Sequence, residues 1–289
     1  MIHTLANVNK FRPTDPGRTQ QESDVTPDCR CDPDRCLINS PRIGIFPEND
    51  PERTVTVRNH KVAGNPKKLA GERAAELAGD GMTVGLGTGS TAFYAIQKLG
   101  ERVREGLLIR GVPTSEQSRI QAESEGIPLI DFAQTTRIDL TIDGADEIDP
   151  AFILIKGGGG ALFREKLVAT ASLREIIVAD ESKLKDRLGG FPLPVEVVPF
   201  GWQYVRLKLE ALGCRARLRR RENRPFVTDN GNHILDCAFG VIEDPAELER
   251  RIAAICGVVE SGLFIGLAHR IVIGKADGTL EERVNPRLR

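Results

Sequence analysis

The sequence predicts an α/β protein, a doubly wound parallel sheet with a smaller α+β domain inserted late in the chain. Between Met82 and Ile142, short apolar runs of strand length alternate with helical patterns, which argues for a parallel sheet covered by helices. After Leu188 the order becomes β-α-β-β-α-β, that of a ferredoxin-like split unit. Glycine-rich turns and clustered carboxylates fall where strands should end, the region in which open α/β sheets bind ligands.

The elements follow in order. Residues 1–62 hold seven of the seventeen prolines, with many Asp, Arg and Thr and no sustained periodicity, so they read as an extended or disordered N-terminal extension. Order begins near Pro66 with a helix whose apolar positions include Leu69, Ala70, Ala74 and Leu77. Met82–Leu86 is the first strand, Thr91–Leu99 a helix, Leu107–Val112 a second strand, and Glu116–Glu125 a helix closed by Gly126. Ile138, Leu140 and Ile142 alternate with polar residues, the period of a strand with one buried face. A second apolar run, Phe152–Ile155, leads to Lys156 and four glycines, and a helix starts near Ala161.

Beyond the loop-like Gly189–Pro194, strands are expected at Val195–Val198 and Val258–Leu263, helices at Trp202–Leu212 and Pro245–Ile255, and a hairpin over Arg215–Phe239. Ile265–Lys275 returns to the larger sheet. The expected division is therefore 63–188 plus 264–289 for the large domain and 189–263 for the small one. Arg215, Arg217, Arg219, Arg220, Arg221 and Arg224 form the single basic run. It lacks interleaved aromatics and reads as a solvated sheet edge or a subunit contact.

Composition narrows the function. The chain has 289 residues, a formal net charge of −1 and 28% charged residues, which gives no reason to expect nucleic acid or an anionic membrane as partner. No apolar stretch approaches the ~20 residues needed to span a bilayer. The N-terminus lacks the apolar core of a signal peptide, so a cytoplasmic location is expected. Cys29, Cys31 and Cys36 cluster without a convincing fourth zinc ligand, and free thiols are the preferred reading. No metal and no cofactor is expected.

The candidate chemistry lies in three places. Gly85–Thr91 follows a strand and opens a helix, a geometry that suits a phosphate as well as it suits a merely tight turn. It matches neither a nucleotide phosphate loop, since Gly89 precedes Ser90, nor a dinucleotide fingerprint, since Pro113-Thr114-Ser115 stands where an acidic residue belongs. Asp143 and Asp146 flank Gly144-Ala145, a spacing that Asx-turns and helix caps also use. Lys156, the glycines that follow it and Glu165 arrive at neighbouring strand ends. No histidine lies in these segments, so proton transfer falls to carboxylates tuned by burial and neighbouring charge. Carboxylate, lysine and anion loop together fit proton transfer alpha to a carbonyl.

Asp139-Leu-Thr-Ile-Asp-Gly-Ala-Asp-Glu-Ile-Asp149 and Lys156-Gly-Gly-Gly-Gly-Ala-Leu-Phe-Arg-Glu-Lys166 closely resemble the active-site region of type A ribose-5-phosphate isomerases. Gly85–Ala92, Ala179-Asp-Glu-Ser-Lys183 and Thr228-Asp-Asn-Gly-Asn232 extend the resemblance, in the family's order, from about Asn65 to the C-terminus.

The resemblance implies a Rossmann-like large domain and cofactor-independent interconversion of D-ribose 5-phosphate and D-ribulose 5-phosphate through an enediolate, in the pentose phosphate pathway. It implies Glu165 as base, Asp143 assisting ring opening, and Lys156 with glycine-loop amides stabilising the enediolate. Asp146 would position hydroxyls or Lys156. Lys67, Ser90, Thr91 and Lys183 would hold the phosphate, with Gly87, Thr88, Gly89, Gly144, Ala145, Gly157, Gly158 and Gly159 completing the substrate site. The sugar phosphate would be the ligand and the assembly a homodimer or homotetramer. A sugar-phosphate sensor without chemistry and a coenzyme A transferase with a glutamate nucleophile are the competing readings.

Overall fold

The protein is described by a computed structural model covering residues 64–135 and 137–288, together with the backbone of one strand, β1 (Val55–Val57). Otherwise the expected N-terminal extension, including Cys29, Cys31 and Cys36, lies outside the described residues.

Helix α1 (Pro66–Ala75) starts where the sequence suggests, with the Asn65 side chain accepting from the Lys67 amide at 3.0 Å and Pro66 at its first position. It is followed by β2 (Thr83–Leu86), α2 (Ala92–Arg104), β3 (Arg110–Pro113) and α3 (Glu116–Ser124). Next come β4 (Leu140–Gly144), β5 (Glu147–Ile148), β6 (Leu154–Ile155), α4 (Leu162–Thr170) and β7 (Glu175–Asp180). The later segment contributes β8 (Leu193–Val197), α5 (Trp202–Glu210), β9 (Arg215–Leu218), β10 (Arg220–Arg221), β11 (Arg224–Pro225) and β12 (His233–Ala238). Helix α6 (Pro245–Ala253), β13 (Val258–Ser261), β14 (Leu263–Phe264), β15 (Ala268–Gly274) and β16 (Leu280–Val284) close the chain.

The main sheet has the order β1-β16-β15-β7-β4-β2-β3. The five strands from β15 to β3 run parallel, while β16 and β1 add an antiparallel edge that the sequence pattern did not announce. The chain moves from β2 outward to β3 and then returns to the other side of β2 at β4. The order therefore reverses between β2 and β4, and a crevice opens beyond their C-terminal ends.

Both faces of this sheet are covered, as parallel strands require. On β7, Ile176 and Val178 pack with Ala70, Ala74, Leu86 and Leu99 on one side. Ile177 and Ala179 pack with Ile148, Leu154, Phe264 and Ile273 on the other. The expectation of a single buried face on β4 is corrected here. Thr141 and Asp143, the polar positions, are as fully buried as Leu140 and Ile142, because β4 is central and the second face is covered too. The Thr141 hydroxyl is satisfied by Ser172 Oγ at 2.6 Å.

Phe152–Ile155 yields only the two-residue strand β6, which joins an antiparallel three-stranded sheet of order β14-β6-β5 instead of the main sheet. A third sheet, β13-β8-β12-β9, is antiparallel throughout and has the strand order of a ferredoxin-like unit. Helices α5 and α6 cover it through Val205, Leu209 and Ile252 against Val195, Val197 and Leu235.

Close contact between β2 and β4 makes Gly85 a sensitive position. A Cβ there would stand 2.0 Å from Thr141 Oγ1 and 2.7 Å from Val168 Cγ1. Gly85→Ala is expected to lower unfolding stability by ~1–3 kcal/mol through overpacking; denaturant unfolding with a wild-type midpoint would contradict the packing described.

Candidate active site

At the β2–β4 crevice one cleft is lined by Thr88, Gly89, Ser90, Thr91, Gly144, Ala145, Asp146, Lys156, Gly157, Gly158, Gly159, Glu165 and Lys183. These all come from the segments singled out in the sequence. The three remaining candidates sit just behind the lining. Asp143 is fully buried beneath Lys156. Gly87 lies against Asp143, where a Cβ would be 2.3 Å from Oδ1, so only glycine lets the two loops approach. Lys67 donates from Nζ to Ser90 Oγ at 2.9 Å.

The phosphate-type loop is built as a helix entrance. Gly89, Ser90 and Thr91 precede α2, so its first amides and dipole face the cleft lined by these residues. Thr88 is pinned on both sides: its amide donates to Asp143 Oδ1 at 2.9 Å, and its hydroxyl meets Thr114 Oγ1 at 2.8 Å and Ser115 Oγ at 2.7 Å. The Lys67 and Lys183 ammonium groups both lie near Asp180 and help hold that carboxyl below its ordinary value, although burial acts first in the opposite direction and the Ser182 hydrogen bonds contribute more. Two cations thus gather beside the helix entrance.

At the carboxylate side, Lys156 Nζ lies 3.0 Å from Asp143 Oδ2 and 3.4 Å from Glu165 Oε1, and donates to the Gly144 carbonyl at 2.5 Å. The ammonium also lies over the Phe264 ring, with Nζ 5.3 Å from the centroid. Asp143 Oδ1 accepts from the Thr88 and Gly144 amides. Asp146 does not touch Lys156; its Oδ2 accepts from the Gly158 amide at 2.7 Å. Glu165 Oε2 has no hydrogen-bond partner in the protein.

Burial alone would push the Lys156 ammonium down, but Asp143, Glu165 and Glu175 surround it and hold it above the ordinary lysine value. Glu165 is raised as well, but for it burial is the main cause. Burial raises it, Lys156 pulls it back, and the charges of Asp143 and Asp146 raise it again, leaving it pushed up to about 8. That places a carboxylate in the range of a general base working near neutral pH.

Several contributors carried no readable signal of their own. Glu175, at the start of β7, is fully buried with neither carboxylate oxygen hydrogen-bonded, and burial pushes it up to about 8 against the pull of Lys156. Nothing in the alternation of β7 sets it apart. Arg164, beside Glu165 on α4, donates to Asn230 Oδ1 and the Asp229 carbonyl, both at 3.0 Å. Thr228, Asn230 and Asn232 in turn donate to the buried Glu196 Oε1 at 2.9–3.3 Å. The Thr228–Asn232 motif is thereby given a structural task, joining β8 to the helix that carries Glu165. Arg219, read as part of a solvated or subunit-facing run, instead turns inward: Nη1 donates to the carbonyls of Gly157 and Gly158 at 2.8 and 3.2 Å. The run divides because Arg219 alone meets a part-buried partner, Asp236, while Arg215, Arg217, Arg220, Arg221 and Arg224 stay exposed.

Among the described residues no cluster of three or more His, Cys, Asp or Glu could hold a metal ion, and no helix is long and apolar enough to cross a membrane.

The raised Glu175 carboxyl has a consequence for stability. Its folded value of about 8 exceeds the ordinary glutamate value of 4.5, so its contribution is present in full below that ordinary value and is lost as pH rises through about 8. Glu175→Gln, which cannot ionise, is therefore expected to melt higher than wild type at pH 9 and to lose less of its melting temperature between pH 6 and pH 9. Equal losses in the two proteins would show that Glu175 does not titrate in this window.

The family described as Ribose 5-phosphate isomerase A (phosphoriboisomerase A) matches residues 110–278. Ribose-5-phosphate isomerase A of Bacillus mycoides is 52% identical over 218 residues, 75% of this chain and 99% of that protein. The protein of the same name from Gloeobacter violaceus is 55% identical over 214 residues, 73% of this chain and 93% of its own length. Among solved structures, ribose 5-phosphate isomerase A of Methanocaldococcus jannaschii is 39% identical with a TM-score of 0.72, covering 75% of this chain and 98% of that one. A D-ribose-5-phosphate isomerase in complex with phospho-erythronic acid is 38% identical with a TM-score of 0.74, over 76% of this chain and all of its own. With the cleft, the loops and the fold in agreement, the chain belongs to the ribose 5-phosphate isomerase A family.

Proposed function

We propose that the protein interconverts D-ribose 5-phosphate and D-ribulose 5-phosphate through an enediolate, with Glu165 as the base. The observation that carries this reading is the buried Glu165–Lys156–Asp143 cluster, opening on a cleft that Thr88–Thr91 at the entrance of α2 also line.

The phosphate is held by the α2 entrance, through Ser90, Thr91 and nearby amides, with Lys67 and Lys183 supplying charge. This orients C1 and C2 towards the carboxylates. Asp143 assists ring opening and, in the open chain, moves the hydroxyl proton from O2 to O1 as the enediolate forms and collapses. Glu165 then takes the C2 proton and returns it to C1, which interconverts aldose and ketose without net oxidation. Its raised proton affinity suits a group that must both accept and release a proton near neutral pH. As negative charge gathers on the enediolate oxygen, the Lys156 ammonium and the glycine-loop amides stabilise it, each donor contributing ~3–4 kcal/mol. Asp146 orders that loop and a substrate hydroxyl. A pure sensor would have no use for this cluster.

The large α/β part, 63–188 with 264–289, supplies these groups, and 189–263 contributes the hairpin that grips the glycine loop. A homodimer or homotetramer in the cytoplasm completes the reading. Exposed Phe200, Tyr204 and Leu207 offer apolar surface for self-association.

Ribulose 5-phosphate should form rapidly from ribose 5-phosphate in excess EDTA, since no step uses a metal. Glu165→Gln should lower kcat by ~10²–10⁴ while KM stays within a few-fold. A folded wild-type protein that binds the sugar phosphate without turning it over would favour the sensor reading, and a Glu165→Gln variant with wild-type kcat would remove Glu165 as the base.

A further inference from the structure

We infer that Arg219, held by Asp236, is a positioning residue that fixes the glycine loop so that the Gly158 amide meets Asp146 and the Gly159 amide points towards the reacting end of the substrate. The inference rests on the isomerase reading above.

The guanidinium makes two sets of contacts at once. Nε and Nη2 form a fork on Asp236 Oδ2 and Oδ1 at 3.0 and 2.5 Å, and Nη1 reaches the carbonyls of Gly157 and Gly158 at 2.8 and 3.2 Å. Only a planar, multidentate cation can hold a carboxylate and two successive carbonyls together.

Peptide planarity then sets the direction of the amides. In a trans peptide the carbonyl of one residue and the N–H of the next point to opposite sides, and no cis bond occurs among the described residues. The Gly157 carbonyl faces Arg219, and the Gly158 N–H accordingly points away from it and donates to Asp146 Oδ2 at 2.7 Å. The Gly158 carbonyl also faces Arg219, so the Gly159 N–H is directed to the same side as Asp146. The Gly158 N–H is held by Asp146, so the Gly159 N–H beside it is the donor turned to meet a developing anion, and both glycines line the cleft.

The hairpin reinforces this from a second point. Phe226 lies under the Arg219 guanidinium at 5.9 Å and packs against Gly160, where a Cβ would fall 2.4 Å from its Cζ. Without Arg219, the Gly158 carbonyl loses its donor and the Gly157 carbonyl keeps only the Gly160 N–H at 3.0 Å, so the peptide that carries the Gly159 N–H is freed to rotate. The loss should be felt in the transition state, where charge develops, and little in the ground-state complex, which the phosphate loop holds.

The test uses Arg219→Lys and Asp236→Asn in the full chain, beside wild type. The expected result is a ~10–100-fold fall in kcat in both, with KM for ribose 5-phosphate within about threefold. Affinity for phospho-erythronic acid, whose carboxylate presents negative charge at the reacting end, should weaken in parallel. Competition by inorganic phosphate should be unchanged, and free guanidinium ion should restore part of the activity of Arg219→Ala. Folded variants with wild-type kcat would overturn the inference. So would variants that lose their fold, or whose kcat and phosphate affinity fall together, since either would make the pair a structural support only. Absence of turnover in the wild-type protein would count against the isomerase reading instead.

Discussion

The site depends on one interaction, the burial of the Lys156 ammonium among carboxylates. A lone charge at this depth would be neutralised or expelled. Here Asp143 and Glu165 lie within 3.4 Å, and the Gly144 carbonyl accepts a further hydrogen bond from the ammonium. The arrangement carries more carboxylate than ammonium. Burial, joined by that excess, raises the proton affinity of Glu165 and Glu175, and a single buried cation must then be shared among acids that cannot all ionise comfortably. The frustration is the functional property: a carboxylate that is easily protonated and easily deprotonated near neutral pH is what proton transfer at carbon requires.

The fold makes such a cluster possible by bringing short pieces of chain together from distant positions. The reversal of strand order between β2 and β4 opens the crevice, and the absence of a side chain at Gly87 lets the anion loop rest on Asp143. Lys156 follows β6, and its amide contact to the Gly262 carbonyl ties the residue to the return from the smaller sheet. Glu165 is placed by α4, which the Arg164–Asn230 contact and the Lys166 ion pairs with Glu249 and Glu260 tie to the same sheet. Each reactive group is thus anchored from two sides, the usual condition for holding a constellation within tenths of an ångström.

Much of this was legible in the sequence, for identifiable reasons. Strand–helix alternation pointed to the parallel sheet, because its period is local. The β-α-β-β-α-β order pointed to the antiparallel sheet, because topology follows from element order when connections are short. Asp143 and Lys156 could be found because they stand at strand ends, and Glu165 because a glycine run precedes the helix that carries it. What stayed hidden depends on contacts across long separations. Glu175 reads as an ordinary residue at a strand's start until the sheet places it in the charge cluster. Arg219 is one arginine among six until Asp236 and two glycine carbonyls single it out. The burial of both faces of β4 depends on covering elements more than a dozen residues away, and the edge formed by β1 and β16 has too few residues to show a period.

Titration of the glutamate side chains in 13C-labelled protein, with Glu165 assigned by the signal lost in the Glu165→Gln variant, addresses the central claim most directly. The account predicts that the Glu165 carboxyl titrates at about 8, several units above an exposed glutamate. A Glu165 that titrates at about 4–5, as a solvated glutamate does, would mean that the Lys156 cluster does not set the acidity of the base, and the mechanism built on it would fall.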